Sequence, residues 1–164
     1  MPHVGVVAHT RHLIVDGANT LHAWPDLRQL SVRDRAAARS KLVQQLMPIH
    51  DSEDVRVTIV FDGRGDDLVV ERPSTHATFS VVYTPSSLTA DDVIEQMVAN
   101  SAARSDCLVA TDDRGERETV TALGATTLRS DDLTAWLNRV ESRQRATVPH
   151  LRESNTRAWK KTSD

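Results

Sequence analysis

Short apolar runs alternate along the chain with longer segments whose apolar residues recur at helical spacing. The apolar runs predict strands, at residues 13–15, 55–61, 78–83, 107–110 and 125–128. The helical spacing predicts helices that begin near Ser31, Thr89, Arg114 and Ser130. Strands that alternate with helices in this way are typical of a parallel sheet with helices on both faces. The sequence therefore predicts an α/β fold.

Several residues interrupt this pattern. Pro25 is expected to break any helix that follows the first strand, because proline lacks the N–H that a helix interior requires. Ser31, with Asp34 three residues later, indicates the start of a helix that runs to about Met47. Residues 63–78 are polar and predict a long loop, which in a compact domain is either functional or mobile.

A length of 164 residues fits one domain with its own hydrophobic core. We expect a flexible lead at residues 1–11, a single α/β domain at residues 12–148, and a polar, locally basic tail at residues 149–164. No internal repeat divides the central part. The fold prediction therefore rests on residues 12–148.

The net charge of −3 excludes a general attraction to nucleic acid or to an anionic membrane, so any polyanion site has to be local. Cys107 is the only cysteine, which excludes an internal disulfide and indicates a reducing compartment. Within its apolar run, Cys107 is expected to be a small core residue. No stretch is long enough to cross a bilayer, and residues 1–11 lack the order of a signal peptide. We expect a cytoplasmic protein with no membrane partner.

Carboxylates follow three of the predicted strands and open one of the helices. Asp16, Asp62 and Asp112 lie at strand ends, and Asp91 lies in the first turn of the helix that Thr89 caps. Because the carboxyl ends of parallel strands meet at one edge of a sheet, these four acids are expected to converge. Each acid alone has a simpler explanation, since Asp in a turn or a first helical turn interacts with local backbone.

Several carboxylates held close together are stable mainly when a cation neutralises them. Oxygen ligands in this number favour Mg²⁺ or Mn²⁺, and such an ion suits hydrolysis of a phosphodiester bond. Asn19 is placed to orient either a phosphate or a metal-bound water, and Thr111 adds a hydroxyl group beside Asp112. The acidic edge therefore predicts catalysis on a phosphodiester, with Asp16, Asn19, Asp62, Asp91 and Asp112 as the candidate catalytic residues.

Arginines near the same edge are candidate phosphate contacts. Arg64 and Arg114 follow the second and fourth predicted strands, and Arg72 and Arg117 lie close to them in the sequence. The alternative is that these side chains are ordinary solvated charges. With Asn19 and Thr111, Arg64 and Arg114 form the predicted substrate-binding set.

Five motifs occur in order along the chain: IVDGAN at 14–19, VFDG at 60–63, YT at 83–84, TADDVIE at 89–95 and ATD at 110–112. Together they resemble the NYN-domain proteins of the YacP type, which belong to the PIN-like nuclease superfamily. The resemblance covers about residues 12–141. It implies a PIN-like three-layer α/β/α sandwich with a central, mainly parallel sheet, and metal-dependent endoribonuclease activity.

The resemblance also implies particular residues and partners. The family's metal-binding acids correspond to Asp16, Asp91 and Asp112, with Asn19 and Asp62 beside them. The match is less clean at residues 113–116, which leaves the last acidic position open. The implied partner is RNA, expected to be single-stranded, and YacP-type relatives are linked to cleavage of messenger RNA on ribosomes.

Two other functions fit some of the same residues. A non-catalytic RNA-binding or ribosome-associated module with this fold would use the basic tail at 149–164, which is alternatively a disordered end. A phosphatase would also use acids and Mg²⁺, but such sites usually add a lysine after a strand. The lysines here are Lys41, Lys160 and Lys161, none of which follows a predicted strand. The sequence therefore favours the nuclease.

Overall fold

The computed structural model describes residues 11–74 and 76–162, with side chains as far as residue 146. The first half contains β1 (Arg11–Asp16), α1 (Gly17–Ala23), α2 (Pro25–Arg33), α3 (Arg35–Ser52), β2 (Val55–Phe61), β3 (Val69–Glu71) and β4 (Phe79–Tyr83). The second half contains α4 (Ala90–Ala99), a 3₁₀ turn (Arg104–Asp106), β5 (Cys107–Ala110), α5 (Arg114–Ala122), β6 (Thr126–Leu128) and α6 (Ser130–Thr162).

The strands of the described residues form one six-stranded sheet in the order β3-β4-β2-β1-β5-β6. Every pair is parallel except β3 with β4, which is antiparallel. The register sets Val15 of β1 beside Ile59 of β2 and Ala110 of β5. The carboxyl ends of the three central strands therefore meet at one edge of the sheet, and the predicted mainly parallel α/β fold is confirmed.

Alternate side chains of the central strands enter two separate cores, as the two-residue period of a strand requires. Leu13 and Val15 of β1 face the core that α1, α2, α3 and α6 cover. Ile14 faces the other core, which is completed from α4 and α5. The helices thus enclose the sheet in a three-layer α/β/α sandwich. Cys107 is buried in the second core, so its predicted place as a core residue is confirmed.

The segment after β1 differs from the sequence-based prediction. It forms the helices α1 and α2, and Pro25 begins the second of them rather than only ending the first. Proline is favoured at a first helical position, where no N–H partner is needed. The predicted helix start at Ser31 is wrong, because Ser31 lies inside α2. Asp34 instead caps α3 by accepting a hydrogen bond from the backbone N–H of Ala37 at 3.0 Å.

The segment at 63–78 was expected to be a loop throughout, but it contains the short edge strand β3. All three residues of β3 are exposed, and they pair only with β4. A three-residue strand with both faces in solvent has no alternation of apolar and polar residues that the sequence could reveal. The prediction of a loop was therefore wrong at residues 69–71.

The two ends of the chain bear on the expected domain limits. The lead at 1–11 lies outside the described residues except for Arg11, which begins β1. The tail at 149–164 overlaps helix α6, which continues to Thr162, and its side chains lie outside the described part. The limits of the domain stay predictions. Within the described residues, no helix combines the length and the apolar character needed to cross a bilayer.

Candidate active site

Asp16 is the last residue of β1 and is only 5% exposed. Its carboxylate caps α1 by accepting a hydrogen bond from the backbone N–H of Asn19 at 3.2 Å. Its backbone carbonyl accepts a second bond from the hydroxyl group of Thr20 at 2.9 Å. A Cβ atom at Gly17 would collide with the ring of Phe61, so the backbone that follows Asp16 packs directly against that ring. These contacts fix a buried carboxylate at the edge of the sheet.

Asp91 is placed by the first turn of α4. Thr89 caps this helix in a reciprocal capping box with Asp92, whose carboxylate accepts from the Thr89 N–H at 3.0 Å. The carboxylate of Asp62, just after β2, accepts from the N–H of Ala90 at 2.8 Å. Asp62 thus joins the end of β2 to the start of α4. This arrangement points Asp91 toward the strand ends, as the sequence predicts.

Glu116 lies in the first turn of α5 and is only 3% exposed. Asp113 caps the helix by accepting from the Glu116 N–H at 2.8 Å. The hydroxyl group of Thr111 donates to Oε2 of Glu116 at 2.9 Å, and the same hydroxyl group accepts from the N–H of Asp113 at 3.1 Å. Oε1 of Glu116 is buried and receives no hydrogen bond from an N–H or hydroxyl group of the described residues.

Asp16, Asp91 and Glu116 form a cluster that we call the carboxylate triad. Each contributes one oxygen to a group in which all three oxygens lie within 4.8 Å of one another. Burial raises the pKa of Glu116, and the hydrogen bond and repulsion from Asp16 raise it further. Burial also raises the pKa of Asp16, to which the charges of Asp91 and Asp62 add. Both shifts express the cost of holding several negative charges together away from water.

The carboxylate triad fits a hard divalent cation. Its donors are all oxygen atoms, which Mg²⁺ and Mn²⁺ prefer, and no histidine or cysteine belongs to it. Oε1 of Glu116 is buried and receives no N–H or hydroxyl hydrogen bond in the described region, so a cation would supply the positive partner that this oxygen lacks. Beside the triad opens a cavity of about 490 Å³, whose polar lining includes Asp16, Asn19, Asp62, Asp91 and Asp113.

The sequence profile of the YacP-like NYN domain matches residues 13–164. The chain belongs to the YacP-like NYN domain family. Proteins with an NYN domain are part of a nuclease superfamily and act on nucleic acid.

Relatives of this NYN protein are known from Bacillus subtilis. The chain is 31% identical to the B. subtilis protein YacP over 134 residues, which are 80% of this chain and 77% of YacP. The crystal structure of B. subtilis Rae1 (YacP) superposes with a TM-score of 0.71 at 28% identity, over 88% of this chain and 83% of that one. A mutant of Rae1 gives 0.73 at 27% identity, over 88% and 85%. The predicted family is therefore confirmed.

In this NYN domain Asp112 occupies a different place from the one that we expected. Its carboxylate accepts hydrogen bonds from the backbone N–H of Ser130 at 2.8 Å and from the Ser130 hydroxyl group at 2.6 Å. These bonds hold the start of α6, and Asp112 is exposed rather than part of the triad. The sequence predicted Asp112 as the third acid beside Asp16 and Asp91. The structure brings Glu116 there instead.

Asn19 and Thr111 support the triad from two sides. The side-chain oxygen of Asn19 accepts from the backbone N–H of Asp112 at 2.8 Å, which ties α1 to the end of β5. Asn19 also borders the acidic cavity. Thr111 is 1% exposed and its hydroxyl group is engaged with Glu116 and Asp113, so it positions Glu116 rather than reaching the cavity as expected.

The predicted arginines lie in separate places. Arg64 is exposed and borders a second, larger cavity next to the acidic one. Arg114 is exposed and pairs with Glu118 one helical turn away at 3.0 Å. Neither Arg72 nor Arg117 borders either of these cavities. Of the four, Arg64 is the one that the fold brings to a cavity connected with the triad.

Sequence reasoning missed Glu116, although the sequence carries a signal for it. Asp113 with Glu116 three residues later has the spacing of a capping box at the start of a helix. The same spacing joins Thr89 to Asp92 in α4, where the acid does bond back to the cap. At α5 the acid turns toward Asp16 instead. The spacing along the sequence is the same in α4 and α5. Only the neighbouring strand that carries Asp16 distinguishes Glu116 from Asp92.

Proposed function

We propose that this protein is a metal-dependent endoribonuclease that hydrolyses phosphodiester bonds in single-stranded RNA. The observation that carries the proposal is the carboxylate triad, whose oxygens lie within 4.8 Å of one another at the carboxyl edge of the sheet. Membership of the NYN family supports it, since that family belongs to a nuclease superfamily. The triad lies beside an open acidic cavity, so a substrate can reach it.

Asp16, Asp91 and Glu116 would hold the cation, and the oxygen-only donor set favours Mg²⁺ or Mn²⁺. When bound, such an ion supplies Lewis-acid activation of water and stabilises the negative charge that develops on the phosphate. Thr111 orients Glu116 through its hydroxyl group, and Asp62 orients Asp91 by holding the first N–H of α4. We place Asp112 outside the metal ligands, because Ser130 engages both of its oxygens.

Asn19 is the neutral group of the site. The N–H of Asp112 occupies its side-chain oxygen, which leaves the NH₂ group as the donor of a residue that lines the cavity. A phosphate oxygen is an acceptor of matching chemistry. We propose that Asn19 orients the scissile phosphate, and that Asp62 adds negative charge that helps to retain a cation beside the triad.

The test uses the purified protein and an end-labelled, single-stranded RNA. With Mg²⁺ or Mn²⁺ it should cut the RNA internally, and a chelator should stop the cutting. Asp16→Asn, Asp91→Asn and Glu116→Gln should each lower the rate by at least about a hundredfold, equivalent to about 2.7 kcal/mol in the barrier. Glu118→Gln, on the exposed face of α5, is the matched control and should cut normally.

Circular dichroism of the variants separates loss of chemistry from loss of fold. Undiminished cutting by folded Asp16→Asn would exclude the proposal. RNA binding that resists the chelator, with no cutting under either metal, would replace it with the non-catalytic RNA-binding module. Hydrolysis of a small phosphate ester in preference to RNA would indicate a phosphatase.

The family resemblance extends the proposal to messenger RNA on ribosomes as the substrate, in a cytoplasmic setting in keeping with the single, unpaired Cys107. The test is cosedimentation of the protein with ribosomes, followed by comparison of the cleavage of translated and untranslated copies of one RNA. Faster cleavage of the translated copy is expected. Equal cleavage of both would limit the proposal to free RNA.

A further inference from the structure

A larger cavity, of about 1100 Å³, continues from the acidic cavity beside the triad. The two cavities share Ala18, Asp62 and Gly63 in their walls. A Cβ atom at Gly63 would collide with the backbone carbonyl of Thr84, so this shared wall is backbone packed closely on backbone, where only glycine fits. A chain-like substrate at the triad can therefore extend into the larger cavity, which we call the arginine groove.

One wall of the arginine groove is cationic. Arg28 comes from α2, Arg35 and Arg39 come from α3, and Arg64 follows β2. Throughout the described part of the chain, none of these four forms an ion pair with an acid. The whole groove holds four guanidinium groups against the carboxylates of Asp62, Asp67 and Glu71, so its lining is positive on balance in a protein whose net charge is −3.

Arg39 joins this wall to the active edge of the sheet. Its Nη2 donates to the backbone carbonyl of Asp62 at 3.2 Å, and its guanidinium group lies 5.1 Å from the ring centre of Phe61 and 5.5 Å from that of Tyr83. Its Nε is buried and has no hydrogen-bond partner among the described residues. Arg35 lies four residues earlier, about 6 Å along the helix axis, which is comparable to the separation of successive phosphates in an extended strand.

The opposite wall has a different character. Val69 of β3 is 48% exposed there. Asp67 and Glu71 lie on the same side as Val69 and would repel phosphates. The groove thus offers positive charge along the helices and apolar surface with negative charge along β3. A ligand with an anionic backbone on one side and flat, neutral groups on the other matches this division.

We propose that the arginine groove binds the backbone of single-stranded RNA next to the scissile phosphate, with its phosphates on Arg28, Arg35, Arg39 and Arg64 and its bases toward β3. This inference rests on the proposed nuclease function and specifies how the substrate lies. It makes the contacts on one side of the cleavage site responsible for affinity. RNA too short to reach from the triad into the groove lacks these contacts and should therefore have a higher KM.

The test compares Arg28→Gln/Arg35→Gln with Arg33→Gln/Arg145→Gln. All four side chains are exposed, and the control pair lies outside the groove and removes the same charge. Binding of a fluorescent single-stranded RNA is measured in a chelator over a range of salt concentrations. The groove variant should bind at least about tenfold more weakly, and the slope of log K against log salt should fall by about 1.4, at 0.7 per lost phosphate contact. The control pair should keep most of the affinity.

Arg28 donates a hydrogen bond to the carbonyl of His22 at 3.3 Å, so a second variant protects the test against a folding defect. Arg35→Gln alone removes a side chain that has no polar contact in the described structure, and its salt slope should fall by about 0.7. In cleavage assays the groove variants should raise KM for long RNA while kcat holds, and a dinucleotide should be cut at the unmodified protein's rate.

The outcomes separate the two proposals. Unchanged affinity and salt slope in both groove variants would overturn the arginine groove, whether or not RNA is cut. Absence of metal-dependent cutting in the unmodified protein would overturn the nuclease, while the binding measurement would still decide what the groove holds. An acidic peptide that displaces RNA from the unmodified protein at equal concentration, and binds the groove variants less well, would identify a protein ligand instead and overturn the RNA assignment.

Discussion

Carboxylate oxygens of Asp16 and Glu116 lie within 4.8 Å of each other, although their elements, β1 and α5, are far apart in the sequence. Neither acid is more than 5% exposed. Burial and Asp16 raise the pKa of Glu116, whereas the hydrogen bond with Glu116 favours the charged form of Asp16, so without a cation Glu116 retains a proton at a pH where an exposed glutamate is ionised. This relationship governs both the metal chemistry and the stability of the domain.

Glu116→Gln is expected to stabilise the protein in a chelator at alkaline pH. In the folded protein the pKa of Glu116 is raised above its ordinary value of 4.5. At any pH between this ordinary value and the raised pKa, the folded state binds a proton that the unfolded state has lost. Stability is then highest at low pH and falls as the pH rises, by the sign of proton linkage. Removing the acid should raise Tm by about 2–4 °C at alkaline pH, for a gain of about 1 kcal/mol.

The measurement is thermal unfolding from about pH 6 to about pH 9, in the range where this linkage acts. The slope of Tm against pH should be flatter in Glu116→Gln than in the unmodified protein. Glu118→Gln changes an exposed acid of the same helix and should leave the slope intact. A slope in Glu116→Gln as steep as that of the unmodified protein would show that Glu116 does not hold the proton.

Addition of Mg²⁺ or Mn²⁺ is expected to raise Tm, because a ligand that binds only the folded state stabilises it. The gain is about 2.7 kcal/mol when the ion is at a hundredfold excess over its Kd. The gain should grow as the pH rises, since the ion and the proton compete for Glu116. Asp91→Asn should abolish it, whereas Glu95→Gln, on the same helix but outside the triad, should keep it. If a chelator failed to remove this gain in Tm from the unmodified protein, that result would contradict the metal site.

Asp112→Ala is expected to lower stability rather than metal binding. The substitution removes two hydrogen bonds at the start of α6, worth about 1–2 kcal/mol together. Asp131→Ala removes the same charge from the first turn of α6 but no such bond, and should cost less than about 1 kcal/mol. Urea unfolding with and without Mn²⁺ measures both effects. Loss of the Mn²⁺ stabilisation in Asp112→Ala, at unchanged stability in chelator, would restore Asp112 as a metal ligand.

His12→Gln is expected to make the protein more resistant to acid. His12 lies on β1, where Nε2 is 2.7 Å from the hydroxyl oxygen of Thr58, and burial and the charge of Arg56 lower its pKa to about 4. Between its ordinary value of 6.5 and about 4, the unfolded state takes up a proton that the folded state refuses, so stability is lost as the pH falls. The full loss is about 3 kcal/mol at most.

Unfolding in urea at several pH values between about 4 and 6.5 measures the difference in the free energy of unfolding between His12→Gln and the unmodified protein. The difference should move in favour of the variant as the pH falls. His22→Gln changes an exposed histidine on α1 and should follow the unmodified protein throughout. Parallel curves for His12→Gln and the unmodified protein would exclude His12 as the acid-sensitive group.

Helices and strands with a strong hydrophobic pattern could be predicted, because buried faces require apolar residues at positions that the sequence shows directly. The strand at 55–61 and the helix at 114–122 agree with β2 and α5 to the residue. Weakly patterned elements were missed. The helices α1 and α2 are short and contain few buried residues, so no long apolar stripe marks them. Strand β3 contains no buried residue, and only its pairing with β4 defines it.

The sequence by itself determined the α/β fold, the parallel direction of the central strands, and the placement of Asp16 and Asp91 at one edge. These follow from local hydrophobic patterns and from the rule that parallel strands end on the same side. Tertiary structure alone decided whether Asp112 or Glu116 completes the triad. Both acids follow β5 within a few residues, and the choice depends on Ser130 of α6 being near enough to bind Asp112, and on Thr111 turning Glu116 toward β1. Such contacts join distant parts of the chain, so no local pattern records them.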